Sequence, residues 1–338
     1  MNERINWIDW VKAWCMTVVV DHTPHDAGPF LLQFLAGTNL ASFFFISGYL
    51  KKPIVSQTEA LKKYFYCLII PYFIYNAIFF PYWIGKAYIE QSGMLIASDC
   101  LKPIIGTMFG QLNSSFSCEL NGVTWFLLSL FAMHCITDYC HRQKQCNTWM
   151  LGISIMAMIL YGANKYYLFA PYLPFHGLVR CICFFFLGNV LRNTNFLKMT
   201  CLKKDFFIGI SALGISLLLF YWHIQERNHI THILLYFILN FTSVIALIHL
   251  WRCADNIRLK PVLYISIGTL VIFGLHRMLI GMVDFTMEKS FHLIDISYSW
   301  YGSVILTLSI EILLLPVIYL TNKYFPVLLG KKSTIKFG

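Results

Sequence analysis

The sequence predicts an all-α, polytopic integral membrane protein of about ten transmembrane helices, with both termini in the cytoplasm. Three observations predict it. Of 338 residues, 58% are hydrophobic and 12% charged, against roughly 25% charged in soluble domains. The mean hydropathy is +0.62, and aromatic residues make up 17% of the chain. Ten apolar runs approach the about 20 residues that a membrane helix needs. This composition excludes a disordered chain, a small disulfide scaffold and an ordinary cytosolic enzyme.

In order, the predicted spans are 7–24, 30–50, 64–84, 122–140, 148–163, 176–192, 206–223, 230–251, 261–280 and 299–321. The first contains Asp9 and Lys12 and lacks a small-residue cleavage site, so it reads as a retained helix rather than a signal peptide. Thr23-Pro24 marks its end, because proline disfavours helical backbone before it. The span 148–163 is the shortest. The longest connection, 85–121, has room for a short interfacial helix around 101–110. No internal repeat interrupts the series. One transmembrane domain over 1–325 and a basic cytoplasmic tail over 326–338 are expected.

Lysine and arginine test this division. Alternate loops hold 18 of the 26, the opposite loops hold 6, and Lys12 and Arg180 lie within helices. Cytoplasmic loops collect basic residues, so the bias favours both termini on the cytoplasmic side of the cell membrane. The formal charge of +10 is therefore read as topology, and no basic stripe suggests nucleic acid. Eleven cysteines show no metal-ligand spacing, so no metal site is expected. Cys100 and Cys118 share a polar outer loop, where an oxidising compartment leaves both a bridge and free thiols open.

Charged groups inside a membrane helix are costly and are functional candidates by default. The first span has the densest set: Asp9, Lys12, Asp21 and His22. Asp9 and Lys12 are three residues apart and share a helix face. Asp21 and His22 are neighbours, which point about 100° apart, so Asp21 orients His22 only if the helix unwinds before Pro24.

The segment RINWIDWVKAWCMTVVVDH (4–22) resembles the opening of the membrane acyltransferase 3 superfamily, especially its fucose-4-O-acetylase-like branch. FFFISGYLKK (43–52), WFLLSLF (125–131), FFFLGNVLR (184–192) and IGTLVIFGLH (267–276) resemble further motifs of that family, in its order. The resemblance implies transfer of an acyl group, usually acetyl, from acyl-CoA in the cytoplasm. The acceptor it implies is a hydroxyl on a surface polysaccharide or its lipid-linked precursor. His22 corresponds to the family's essential histidine, and an imidazole suits the task of taking a proton from a sugar hydroxyl. Two intervals depart from the family. Nine residues rather than ten separate Lys12 from His22, and Lys replaces the commoner Arg. The family's Arg-x-x-Arg falls on Tyr64 and Cys67.

Other candidates carry two readings each. Lys51, Lys52, Lys62 and Lys63 form a basic cluster suited to CoA phosphates, or simply mark the cytoplasmic side. Arg180 binds an anionic acceptor or reaches the interface. His276 belongs to the late motif or to an interface. Trp125 is a wall of the acyl tunnel or an anchor. Ser47 precedes Gly48, a pair that permits close helix packing. Glu311 shows no evident partner, and His134, His223 and His249 read as core or interface residues. The rival reading is a transporter or lipid and glycan flippase, although the paired halves with broken helices typical of transporters are not evident.

Overall fold

The computed structural model describes residues 4–20, 29–54, 56–90, 93–94, 96–167, 173–192, 194, 197, 201–291 and 299–331. Asp21 and His22 lie outside them. Hydrocarbon offers no partners to backbone N–H and C=O groups, so a spanning chain must satisfy them within helices or closed barrels. The described residues contain no β-strand.

The helices are α1 (Asn6–Val20), α2 (Phe30–Leu50), α3 (Gln57–Tyr64), α4 (Ile70–Glu90), α5 (Ala97–Met108), α6 (Trp125–His141), α7 (Cys146–Tyr167), α8 (Leu173–Arg192), α9 (Leu202–Gln225), α10 (His229–Arg252), α11 (Lys260–Ile267), α12 (Thr269–Phe291) and α13 (Trp300–Tyr324). A π-turn over Phe65–Ile69 joins α3 to α4, giving one run of 34 residues, Gln57–Glu90. Among the described residues, nine helices are long and apolar enough to cross a membrane. Their outward faces are apolar, as Leu151, Ile155 and Ile159 of α7 and Ile305, Leu308 and Ile312 of α13 illustrate. Such faces suit lipid.

The remaining expected span, 7–24, corresponds to α1, of which 15 residues are described. The predicted span 148–163 is longer than expected, because α7 runs for 22 residues and includes the buried polar Asn164. The predicted 261–280 is two helices. Gly268 leaves helical geometry (φ −84°, ψ 11°) between α11 and α12. A Cβ there would strike Ile318 of α13. The interfacial helix expected around 101–110 is α5. The Cys100 and Cys118 thiols are free. Part of the expected tail is docked: Pro326–Leu329 forms a 3-10 turn, Leu329 is buried, and Tyr75 donates a hydrogen bond to the Leu328 carbonyl at 2.8 Å.

Both ends of the described chain, Arg4 and Lys331, line one cavity. That end of the bundle is called the near end below, and the opposite end the far end. At the far end the loop before α6 is drawn inward. Gln111, fully buried and at φ 64°, donates to Asn76 Oδ1 (2.8 Å) and Thr124 Oγ1 (3.0 Å) and accepts from the Leu120 amide (2.9 Å). Asn121 donates to the Gly274 carbonyl of α12 at 3.0 Å.

Helices in lipid associate through close packing and polar ties rather than through the hydrophobic effect. α2 and α8 cross closely. A Cβ on Gly48 would meet the Phe185 carbonyl, and one on Gly188 would meet the Phe45 carbonyl. The Ser47-Gly48 pair thus stands at a crossing where backbones touch. Overpacking a core costs typically 1–3 kcal/mol. Gly188→Ala is expected to lower the melting temperature in detergent, while Gly214→Ala, where a Cβ meets open space, leaves it level or slightly raised.

Candidate active site

The first helix is anchored from both directions. Its amino end is capped from a distant loop, where the Asp255 carboxylate accepts from the Trp7 amide at 2.9 Å. An anion at a helix start offsets unpaired N–H groups and the helix dipole. Two residues further, still in the first turn, the buried carboxylate of Asp9 accepts from Arg4 Nε (2.6 Å) and Nη2 (2.8 Å) and from the Ser266 hydroxyl (2.6 Å). Lys12 shares the Asp9 face but does not bond to it. Its ammonium donates to the Ser266 carbonyl at 2.7 Å. That carbonyl lies near the end of α11, just before the break at Gly268, where helix carbonyls lose their usual partners and favour a cation. Ser266 therefore joins Asp9 to Lys12, with its hydroxyl on one and its carbonyl on the other.

This junction borders a cavity of about 440 Å³ lined by Arg4, Lys12, Ser47, Phe126, Thr269, Phe273 and Lys331, among others. A second cavity, of about 330 Å³, lies alongside. The two share Ser47, Leu50, Leu68 and Leu130 as walls. Lys51, Lys52 and Lys63 line the second, so three of the four lysines of the predicted basic cluster come together there. Lys62 is exposed and is not among the lining residues.

Lys51 differs from its neighbours. It is buried, with its ammonium 2.5 Å from Asp138 Oδ1, and it also donates to the Tyr64 hydroxyl. Tyr64 in turn donates to Asp138 Oδ2 at 2.6 Å. Burial pushes the Lys51 ammonium below its ordinary range, against the pull of Asp138. Asp138 thus already occupies its charge, whereas Lys52 and Lys63 are exposed. The Lys51 carbonyl accepts from Arg192 of α8, and His134 stacks on the Tyr64 ring at 4.7 Å. Tyr64 and Cys67, the positions on which the family's Arg pair falls, both line this second cavity.

The other predicted residues lie elsewhere. Ser47 lines both near cavities, with its hydroxyl turned back to the Phe43 carbonyl at 3.0 Å. His276 is buried, and Nδ1 donates to the Ile272 carbonyl at 2.7 Å. Trp125 packs its ring against Gly177 of α8. Arg180 donates to the Tyr236 hydroxyl and lies over that ring at 5.0 Å. His276, Trp125 and Arg180 are not among the residues lining the near cavities. Glu311 has a partner on α1, accepting from the Thr17 hydroxyl at 2.8 Å. His249 pairs with Asp205 at 2.6 Å. Among the described residues, no group of three or more His, Cys, Asp or Glu side chains is placed to hold a metal ion.

Arg4, Ser266, Tyr64 and Asp138 belong to this near-end arrangement without being site candidates on sequence grounds. Asp138 has a usable signal, a carboxylate inside the predicted span 122–140. Ser266 has none, because nothing local distinguishes it from other helix serines.

A family model described as an acyltransferase domain matches residues 5–326. No curated protein and no solved structure matches the chain.

Removing one member of a buried ion pair strands the other and costs about 3–5 kcal/mol. Asp138→Asn is therefore expected to lower the melting temperature sharply. The double variant Asp138→Leu/Lys51→Met, which leaves no buried charge, is expected to recover a large part of that loss in the same assay.

Proposed function

The chain belongs to the acyltransferase 3 superfamily of membrane acyltransferases, and from that premise we propose that it moves an acetyl group from acetyl-CoA to a sugar hydroxyl. The observation that carries this reading is the pair of near cavities that share Ser47, Leu50, Leu68 and Leu130 as walls. They are bordered by Lys12 from the family's opening motif and rimmed by the exposed Lys52 and Lys63.

CoA carries several phosphate charges. Lys52 and Lys63 at the mouth of the second cavity would receive them through charge-assisted hydrogen bonds. The shared apolar wall, Leu50, Leu68 and Leu130, suits the uncharged pantetheine arm. Past the cavity bordered by Lys12 and Arg4, the arm would present its thioester toward His22, ten residues further along the chain. In the transfer step the acceptor oxygen attacks the thioester carbon, its proton passes to His22, and the C–S bond breaks to release the CoA thiolate. The carbonyl oxygen becomes negative on the way. Lys12, held by the Ser266 carbonyl, would place a fixed positive charge along the donor's path. Asp9 and Arg4 position Lys12 through Ser266. Asp21 stands next to the base in sequence. Placement of the near end in the cytoplasm follows from the Lys and Arg distribution, and a glycan of the cell surface is the acceptor class the motif resemblance favours.

Positioned general bases contribute roughly 10²–10⁴-fold. His22→Ala is expected to reduce acetyl transfer to a glycan acceptor by that factor while the protein still accumulates in the membrane. Wild-type transfer in that variant rejects the assignment. Each exposed charge contact is worth up to about 1 kcal/mol, so Lys52→Glu/Lys63→Glu is expected to raise the KM for acetyl-CoA about fivefold or more, with a smaller change in kcat. A wild-type protein that releases no thiol from acetyl-CoA with any glycan acceptor would return the transporter reading. Glycan mass spectrometry of cells lacking the protein should show loss of an acetyl-sized mass.

A further inference from the structure

A lysine, an arginine and three histidines gather at the far end, on α7, α8, α9 and α10, and nothing in the acyl-donor reading uses them. Lys165 donates to His232 Nδ1 at 3.1 Å, and the His232 ring lies 3.9 Å from that of His223. One turn deeper on α10, the Tyr236 hydroxyl accepts from Arg180 Nε, and the guanidinium lies 5.0 Å from the centre of the Tyr236 ring. Tyr161 packs between Tyr236 (5.2 Å) and His176 (5.5 Å). We propose that this cluster binds a phosphate group, carried on a lipid headgroup or free in solution. The site is independent of the acyl-transfer reading above.

The first support is charge. α7, α8 and α10 contain no Asp or Glu, and the one acidic residue within α9, Asp205, pairs with His249 at the near end. Lys165 and Arg180 are both partly buried, and neither forms an ion pair with a described carboxylate. Glu226 and Arg227, just past α9, add one charge of each sign, and Glu226 already accepts from the Asn228 amide at 2.8 Å. Two cations therefore remain without a counter-charge from the protein. Charges withdrawn from water favour an opposite charge brought to them.

The second support is hydrogen bonding. An ammonium only donates, so His232 receives Lys165 through Nδ1 and carries its own hydrogen on Nε2. Asn164 Nδ2 donates to His176 Nδ1 at 3.4 Å, which leaves His176 Nε2 as a donor in the same way. Tyr236 accepts from Arg180 and keeps its O–H to give, and Arg180 spends only Nε in that bond. Both ring nitrogens of His223 are buried, and neither has a partner among the described residues. The groups left over are donors without acceptors. They arrive from separate helices, which suits a tetrahedral phosphate, whose oxygens point in four directions, better than a planar carboxylate.

The third support is depth. Tyr167 of α7 and Tyr221 and Trp222 of α9 are exposed at the same end of the bundle. Tyrosine and tryptophan collect at the headgroup level of a bilayer. Tyr167 is two residues from Lys165, and Trp222 adjoins His223, so the cluster lies where lipid phosphates lie. α7 reaches α10 here because Gly162 has no side chain: a Cβ on it would fall 2.6 Å from Ile233 Cδ1.

The test titrates the full chain in detergent with phosphatidylglycerol, and with phosphatidylcholine of the same acyl chains, whose choline offsets the phosphate charge. Bound lipid is read by native mass spectrometry. A second arm follows the melting temperature against inorganic phosphate, with sodium chloride at matched ionic strength as the control. Preferential retention of phosphatidylglycerol identifies a headgroup as the source, and stabilisation by inorganic phosphate alone identifies the free anion. In either case Arg180→Gln and Lys165→Gln are each expected to weaken binding about fivefold, while Lys203→Gln, at an exposed near-end position, leaves it unchanged. Melting curves establish that each variant is folded, and Lys165→Gln, close to a helix end, keeps the test decisive if Arg180→Gln does not fold. Equal retention of the two lipids together with no phosphate effect beyond that of salt would overturn the proposal. Undiminished binding in either folded variant would overturn it as well.

Discussion

A carboxylate held away from water must be compensated by the protein, and the arrangement around Asp9 is the constraint on which the rest of the near end depends. Arg4 neutralises it bidentately and Ser266 donates to its remaining capacity. Because Ser266 sits at the α11–α12 break, satisfying Asp9 also fixes where that break lies relative to α1. The break frees a carbonyl, and Lys12 takes it. Two charges three residues apart are thus each satisfied through one serine, 257 positions along the chain from Asp9. An isolated charge of either sign would carry a desolvation cost of several kcal/mol.

The same logic operates on the other wall of the cavity. α2 and α8 approach until Gly48 and Gly188 meet carbonyls of the opposite helix. That brings the end of α2 against α6, where Lys51, Asp138 and Tyr64 satisfy one another. Apolar contacts alone would not hold these helices in register, since lipid tails offer equivalent contacts. Close backbone approach and buried polar ties supply the specificity. The near cavities are the space left between helices held at these fixed points.

Much of the fold was legible in the amino-acid sequence alone. Hydropathy located the spans, and the motif order led to the family that the domain match over residues 5–326 then showed. Helical spacing put Asp9 and Lys12 on one face, and both meet Ser266 there. Ser47-Gly48 pointed to close packing, and Gly48 abuts α8. Other readings required neighbours that no local pattern names. Lys51 looks like Lys52 in sequence, yet one is buried on Asp138 and the other is exposed. Arg180 lies on Tyr236 rather than in either near cavity. The continuous apolar run 261–280 hid a break, because Gly268 is a packing necessity against α13 rather than a hydropathy feature.

What the sequence determined by itself is additive and local. About twenty apolar residues are enough to make a membrane helix whatever they touch, and Lys and Arg bias reads out loop by loop. What only the tertiary structure decided is which charge meets which partner: Asp9 with Arg4 rather than Lys12, Lys51 with Asp138, Glu311 with Thr17. Those pairings depend on each helix's rotation about its axis and on which helices become neighbours. Both are set jointly by contacts between residues far apart in the chain, so no single segment contains them.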